Sequence, residues 1–500
     1  MIRARLGKDS VTAMISRTNL LSFRTATASL MLRLAVAMWA GLSVGRWERS
    51  LVAEDRLPPA PSTVAASEVT GRVWTLSQLQ QLAEENNPTL RQAVASVNMA
   101  RGLYRQAGLY PNPQVGYLRT DGDRSGASRS SGVFFGQEIV TAKKIQKAQA
   151  TEAWEIEQGN WNYQSQKLRV ANDVELRYWE VLAAQQSLAL SQKLEQVAAR
   201  GLQTTERLHE AREVPKTDVL QARIQHKTSQ LTRREMQARS AAVWKQLAAV
   251  TGCPDLQTAT VVGELPGDIP ERDWDECWQR LRSGSPQIQA SRARAQHFQN
   301  NYRLERANAI PNLSLQVVAE RDHVNQFSTV STLLSMPLPM INRNQGNIDR
   351  AAAETHESIA EIDRTELALR DQLAEVFRRY ETSKAQVEEL GTSILPDARE
   401  NLEQTIAAYR AAEVGYLHVL MAQRIYVEAT MSHLDAWLEL RRATVEMDGL
   451  LLTGALNPAE VGTALQAGPT GGSRRGVLNQ IQESSRSNSL PAALQTGGGP

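Results

Sequence analysis

What this sequence lacks narrows its reading before any motif is considered. Aromatic residues are only 5% of the 500. That is thin for several separate globular cores, although length alone would suggest about three domains. Acidic and basic residues nearly cancel, 54 against 56, for a formal charge of +2. A nucleic-acid partner is therefore not expected, since it would leave a concentrated basic footprint. No apolar run reaches the length of about 18 residues that a membrane helix requires, so a bilayer would have to be crossed by strands. The seven histidines (His209, His226, His297, His323, His356, His418 and His433) form no H-x-x-x-H pair. No nucleophile–base motif or nucleotide loop stands out, so neither catalysis nor a cofactor is expected. With two cysteines, Cys253 and Cys277, there is no disulfide framework. A single bridge between them stays open in an exported chain.

What is present begins at the N-terminus. Arg3, Arg5, Lys8, Arg17, Arg24 and Arg33 precede the short apolar stretch LAVAMWAGLSVG, Leu34 to Gly45. A charged region followed by a short apolar one is the layout of a secretory signal. Residues 1–53 are read as signal and leader, cut between Gly45 and Glu54, with an uncleaved leader as the plain alternative. Residues 54–73 are read as a linker.

Beyond that, the chain says most things twice. VPKTDVLQARI, from Val214, and VGYLHVLMAQRI, from Val414, share Val, Val, Leu and Ala at Val214/Val414, Val219/Val419, Leu220/Leu420 and Ala222/Ala422. Asn87-Pro88 returns as Ser285-Pro286, Pro111-Asn112 as Pro311-Asn312, and Thr251-Gly252 as Thr453-Gly454. Four landmarks in one order, always about 200 residues apart, indicate an internal duplication with a period far beyond that of a solenoid repeat. The repeats are set at 74–252 and 281–454, with a connector at 253–280 and a disordered tail at 455–500.

Each copy has the same plan. A helical tract ends at a proline pair or Pro-Asn step. Alternating segments follow, PQVGYLRT and GVFFGQEIV in the first copy, LSLQVVAE and FSTVSTLLSM in the second. These read as β-hairpins at about 113–140 and 312–340. Next comes a proline-free tract from Thr141 to Val214, about 70 residues and so about 105 Å of helix. The matching tract in the second copy carries Pro396, where a kink or break is expected. A short turn and a returning helix close each copy. The two similar phrases are thus equivalent turns of two helical hairpins.

The predicted fold is mainly α with a small membrane β part, four strands per chain. Four strands cannot close a barrel, because open edges in lipid leave backbone groups unpaired. Pooling three chains gives twelve. The Ala/Gln/charged helices suit a wall that is wet on both sides.

With that plan, the chain resembles the outer-membrane efflux protein (TolC) family. The stretches that carry the likeness are NPTL, AGLYPNPQVG, ELRYWEVLAAQQSLAL, TDVLQARI, AIPNLSL, MPLPMINRNQG, AAYRAAEVGYLHVLMAQRIYVEA and LLLTG. They span about Trp74 to Gly454, and AGLYPNP is closest to the cobalt–zinc–cadmium branch. The resemblance implies a homotrimer with a 12-stranded outer-membrane barrel and a periplasmic helical barrel. It also implies a periplasmic adaptor docked on the helix tips and an inner-membrane pump, expected to be proton-driven. Drug efflux or type I secretion through the same fold, and a periplasmic coiled coil without a channel, are the alternatives.

The family often rings its periplasmic aperture with aspartates near the second-copy turn, where this chain has His418 and Met421. The aperture and adaptor-contact candidates are Glu213, Asp218, Glu413, His418 and Met421. Rings of like charge would select cations, and an imidazole would make the opening respond to pH. His418 and Met421 share a helix face, a donor pair suited to a soft ion, although packing is the commoner role of such residues. Pro111, Asn112, Pro311 and Asn312 are the candidate helix-to-strand junctions. Asp121 and Asp123 read as a solvated loop ahead of a calcium site.

Overall fold

The computed structural model describes residues 73–120, 130–263, 271–323, 325–411 and 413–458. The leader, most of the linker, Asp121, Asp123 and the tail beyond Pro458 lie outside the described residues.

The first repeat opens with β1 (Val73–Trp74), α1 (Leu76–Asn86) and α2 (Pro88–Ala107). Thr75 and Gln78 form a reciprocal capping box at α1, which satisfies two otherwise orphaned N–H groups. Asn87 caps α2, accepting from the Thr89 N–H at 2.9 Å, and Pro88 occupies the first turn, where no N–H is needed. The strands β2 (Gln114–Thr120) and β3 (Ser130–Ile139) follow, then α3 (Lys144–Glu210) and α4 (Lys216–Val250). At 67 residues, α3 is about 100 Å long.

β4 (Thr260–Val261) pairs in parallel with β1. The second repeat then runs through α5 (Trp274–Gly284), α6 (Pro286–Asn308), β5 (Leu313–Asp322), β6 (Ser328–Ser335) and α7 (Gln345–Glu389). It continues by a π turn (Leu390–Ile394) into α8 (Leu395–Arg410) and ends with α9 (Tyr416–Asp448).

Three sequence expectations need correction. The connector boundary at 280/281 falls inside α5, which is the counterpart of α1. Asp273 starts this helix by accepting from the N–H groups of Asp275 and Glu276. Pro266, Gly267 and Pro270 just upstream masked that signal. Cys253 and Cys277 form no bridge: both are free thiols. Cys277 is buried in the core on α5 and Cys253 follows the end of α4. Burial raises the pKa of each thiol, so both stay protonated and inert near neutral pH. Finally, the tail does not begin at 455, because Ala455 is fully buried.

The break expected at Pro396 takes the form of the π turn. Proline lacks the N–H that would bond the carbonyl four residues back, and its ring crowds that carbonyl. One wider turn relieves both problems.

Among the described residues the large core lies around the middle of α3. Leu79, Val174, Tyr178, Val181, Trp244, Leu247, Leu281, Ile288, Leu373, Tyr380, Trp437 and Leu440 are all buried there. Elements of both repeats converge at this level. The Tyr178 hydroxyl donates to the Val262 carbonyl beside β4.

Candidate functional site

β2, β3, β5 and β6 form one antiparallel sheet in that order. The register lines up Tyr117, Val133, Ala319 and Val330 in one row and Val115, Phe135, Val317 and Thr332 in the next. Paired residues share a face, so these two rows form an apolar band broken only by Thr332, with Arg119, Ser131, Arg321 and Ser328 in the next row of the same face. The band is also bare: Val115 is 77% exposed, Tyr117 66% and Val330 70%. The other face mixes Gln114, Gln316, Glu320 and Ser331 with Phe134 and Val318. Both outer strands, β2 and β6, leave one edge unpaired within the chain. In water such a sheet would be an aggregation hazard. In a bilayer it is one wall of a barrel.

The helices tell the opposite story. Among the described residues no helix is long and apolar enough to cross a membrane. α3 buries Thr151, Gln158, Asn162, Ser165 and Gln166 as well as apolar residues, so polar groups serve as packing along its length.

Sheet and helices meet at the Pro-Asn steps. Pro111-Asn112 lies between α2 and β2, and Pro311-Asn312 between α6 and β5. The Asn312 amide oxygen accepts from the Thr141 N–H at 3.3 Å and from Lys144 Nζ at 2.6 Å, and its Nδ2 donates to Glu138 Oε1 at 2.7 Å. The Thr141 hydroxyl donates to the Pro311 carbonyl at 2.7 Å. These contacts hold the start of α3, whose cap residue Lys143 is left-handed (φ 55°) and forms no side-chain cap.

At the far end the two turns have the same geometry. Pro215 starts α4 at φ −77°, ψ 161°, and Gly415 starts α9 at φ −76°, ψ 160°. The Glu213 N–H donates to the Leu208 carbonyl and the Glu413 N–H to that of Ala408, at 2.9 and 3.0 Å. Both are the long bond of a Schellman helix end. Glu213, Glu413, His418 and Met421 are exposed around these turns, and Asp218 is half-buried. The charge of Asp218 is felt at Tyr409 on α8. The Tyr409 pKa is raised by burial first and by the Asp218 charge second. The Tyr409 and Tyr416 rings lie 5.6 Å apart. Tyr416 is buried against α3 at Gly201, where an added Cβ would come 3.2 Å from its hydroxyl. This aromatic clasp escaped the sequence reading. Its signal was two tyrosines flanking the second turn, opposite one of the two glycines in α3.

Among the described residues no group of three His, Cys, Asp or Glu is placed to hold a metal ion. A groove of about 650 Å³ lies beside the π turn and is lined by residues that include Arg239, Glu389, Asp435, Glu439 and Arg442. Its charges pair locally, as in Arg442 with Glu439.

A sheet with a bare apolar band and two open edges, joined to long helices with polar interiors, defines a class: the protomer of an outer-membrane channel with a long periplasmic extension. The chain belongs to the outer membrane efflux protein family, whose signature matches residues 79–253 and again 278–451, once per repeat. It is an outer-membrane efflux channel, with its helices in the periplasm. It is similar to the cobalt-zinc-cadmium resistance protein CzcC of Cupriavidus metallidurans, 26% identical over 377 residues, which cover 75% of this chain and 90% of that one. Among solved structures, CusC matches with a TM-score of 0.65 at 18% identity over 79% of this chain and 97% of its own. VceC of Vibrio cholerae matches at 0.62 and 16%, over 76% and 96%.

Proposed function

We propose that three copies of this chain close a twelve-stranded barrel in the outer membrane and carry divalent heavy-metal cations out of the cell. The observation that carries the trimer is the four-stranded sheet with an apolar band and two open edges. Such a sheet is stable in lipid only when its edges are paired, and four strands are half the smallest barrel. The channel is passive. An inner-membrane pump, proton-driven, supplies the energy, and a periplasmic adaptor links the two at the helix tips.

Glu213, Asp218 and Glu413 line the aperture as rings of negative charge that favour cations. His418 and Met421 face adaptor or cargo beside them. The cargo reading rests on the likeness to CzcC along most of its length. Deleting the gene and scoring tolerance to zinc, cobalt, cadmium, copper and organic drugs tests it. The expected result is sensitivity to one or more of the metals. Unchanged metal tolerance with new drug sensitivity would overturn the cargo and leave the channel standing.

A further inference from the structure

The two strand hairpins of one chain already contain a template for the contact between chains. Within the chain, β3 of the first hairpin pairs with β5 of the second. Around a closed ring, β6 of the second hairpin must meet a β2, and only another copy of the chain has one free. Because the hairpins are repeats, the internal joint specifies the register of the external one. Pro111-Asn112 and Pro311-Asn312 align Gln114 with Ser314 and Gly116 with Gln316. Gln114 pairs with Gly136, and Ser314 with Ser335, so Gly136 corresponds to Ser335. In the internal joint Gly136 faces Gln316. Its counterpart in the external joint is Ser335 facing Gly116.

We propose that β6 receives β2 of a second copy in this one register, with Leu334 opposite Tyr117 and Met336 opposite Val115. The same superposition places Met340 and Arg343, just ahead of α7, where Thr141 and Lys144 stand against Asn312 in the first repeat, so the neighbour's Asn112 comes against them. The proposal rests on the trimeric-channel reading above and adds the residues of the seam.

Three observations support it. First, the faces agree. Tyr117, Val115, Leu334 and Met336 are all large, apolar and largely exposed, and the pairing continues the apolar rows across the seam. A shift of one residue would turn every one of them to the wrong side. Second, the exposure is lopsided. Residues 331–343 are exposed throughout, including Ile341 at 89%, whereas their counterparts around 134–142 are mostly covered. The covering in the first case comes from Pro311, Asn312 and β5 of the same chain. In the second it must come from the neighbour's Pro111, Asn112 and β2. The helix starts are alike in kind, since Lys143 and Asn344 are both left-handed caps, φ 55° and 62°, with the link from strand to cap two residues longer in the second repeat. Third, the ring closes. Following the four joints in turn advances the register by about four residues per chain, and a stagger of about twelve over twelve strands tilts them by about 35°, within the range of membrane barrels. The unstaggered alternative, Val330 opposite Tyr117, gives no tilt and cannot close.

The test is cysteine cross-linking of full-length protein in its native outer membrane. Opposed residues on antiparallel strands have Cα atoms about 4.5–5.5 Å apart, inside the range of a disulfide. Tyr117→Cys with Leu334→Cys should, on mild oxidation, run as a covalent trimer on a denaturing non-reducing gel and return to monomer on reduction. Val115→Cys with Met336→Cys should do the same. Tyr117→Cys with Val330→Cys should give at least about tenfold less, because the two sites lie about 13 Å out of register. The single variants, which keep Cys253 and Cys277, should stay monomeric. Efficient linkage of the Val330 pair and none of the first two overturns the register. Failure of every pair in a protein that still runs as a heat-labile trimer before denaturation places the seam elsewhere and overturns the proposal. A monomeric, detergent-independent protein would instead defeat the channel reading itself.

Discussion

The Thr89 hydroxyl and the Ala455 carbonyl, 366 positions apart, lie at a hydrogen-bonding distance of 3.0 Å in the buried heart of the molecule. Gln166 of α3 completes the knot, its Nε2 donating to Thr89 Oγ1 and to the Ala455 carbonyl, both at 2.8 Å. Asn87 ties the same point to the end of α4 through Val250, at 2.8 Å. The beginning of the first repeat is thereby closed onto the end of the second.

Gln166→Leu should therefore lower stability by about 1–3 kcal/mol, the cost of leaving a buried carbonyl and hydroxyl without their donor. The helical signal in detergent should melt at a lower temperature. Removal of residues 459–500 leaves this knot untouched and should not shift the melt.

Gly252 follows the end of α4 at φ +75°, and a Cβ there would sit 2.6 Å from the Asn86 carbonyl oxygen. Gly252→Ala combines a left-handed backbone with a clash against main chain, so it should destabilise by more than about 1 kcal/mol. Gly346→Ala, in open space at the start of α7, is the matched control and should be neutral or better in chemical denaturation.

His297 of α6 is buried, with Nδ1 3.2 Å from the Thr151 carbonyl and 3.7 Å from Glu155 Oε2 on α3. Burial lowers its pKa first; the Thr151 carbonyl opposes that shift, and Arg294 on the same helix adds to it. A lowered folded pKa leaves the imidazole neutral while the unfolded chain takes up a proton near pH 6.5. The resulting stability is complete above about pH 6.5 and is lost as pH falls below it. Thermal melts between pH 7 and 5 should fall more steeply for the native protein than for His297→Gln. Parallel curves would remove His297 as the cause.

Tyr416 joins α9 to α3 at the tip. Tyr416→Ala removes a buried ring, about 3 kcal/mol of local packing. Hydrogen exchange should quicken around 200–210 and 405–420, while the core around Val174 and Leu440 keeps its protection. In planar bilayers the same variant should conduct more.

Some of this was legible in the residues and some was not, for reasons that can be named. The hairpins and turns were readable because strand alternation at Leu313, Leu315 and Val317, and the chain reversals at Pro215 and Gly415, are local signals. α5 was missed because a Pro/Gly-rich lead-in outweighed one capping aspartate. The clasp of Tyr409 and Tyr416 was missed because nothing local says which helix a tyrosine will meet.

The sequence by itself determined a doubled plan of helix, hairpin and long helical hairpin, since repetition and period are written in the order of residues. Only the tertiary structure decided that β3 joins β5, that the core gathers at the middle of α3 and that Tyr416 packs beside Tyr409 against Gly201 of α3. Those are contacts between residues far apart in the chain. They depend on which surfaces pack together in three dimensions, and no local pattern encodes that.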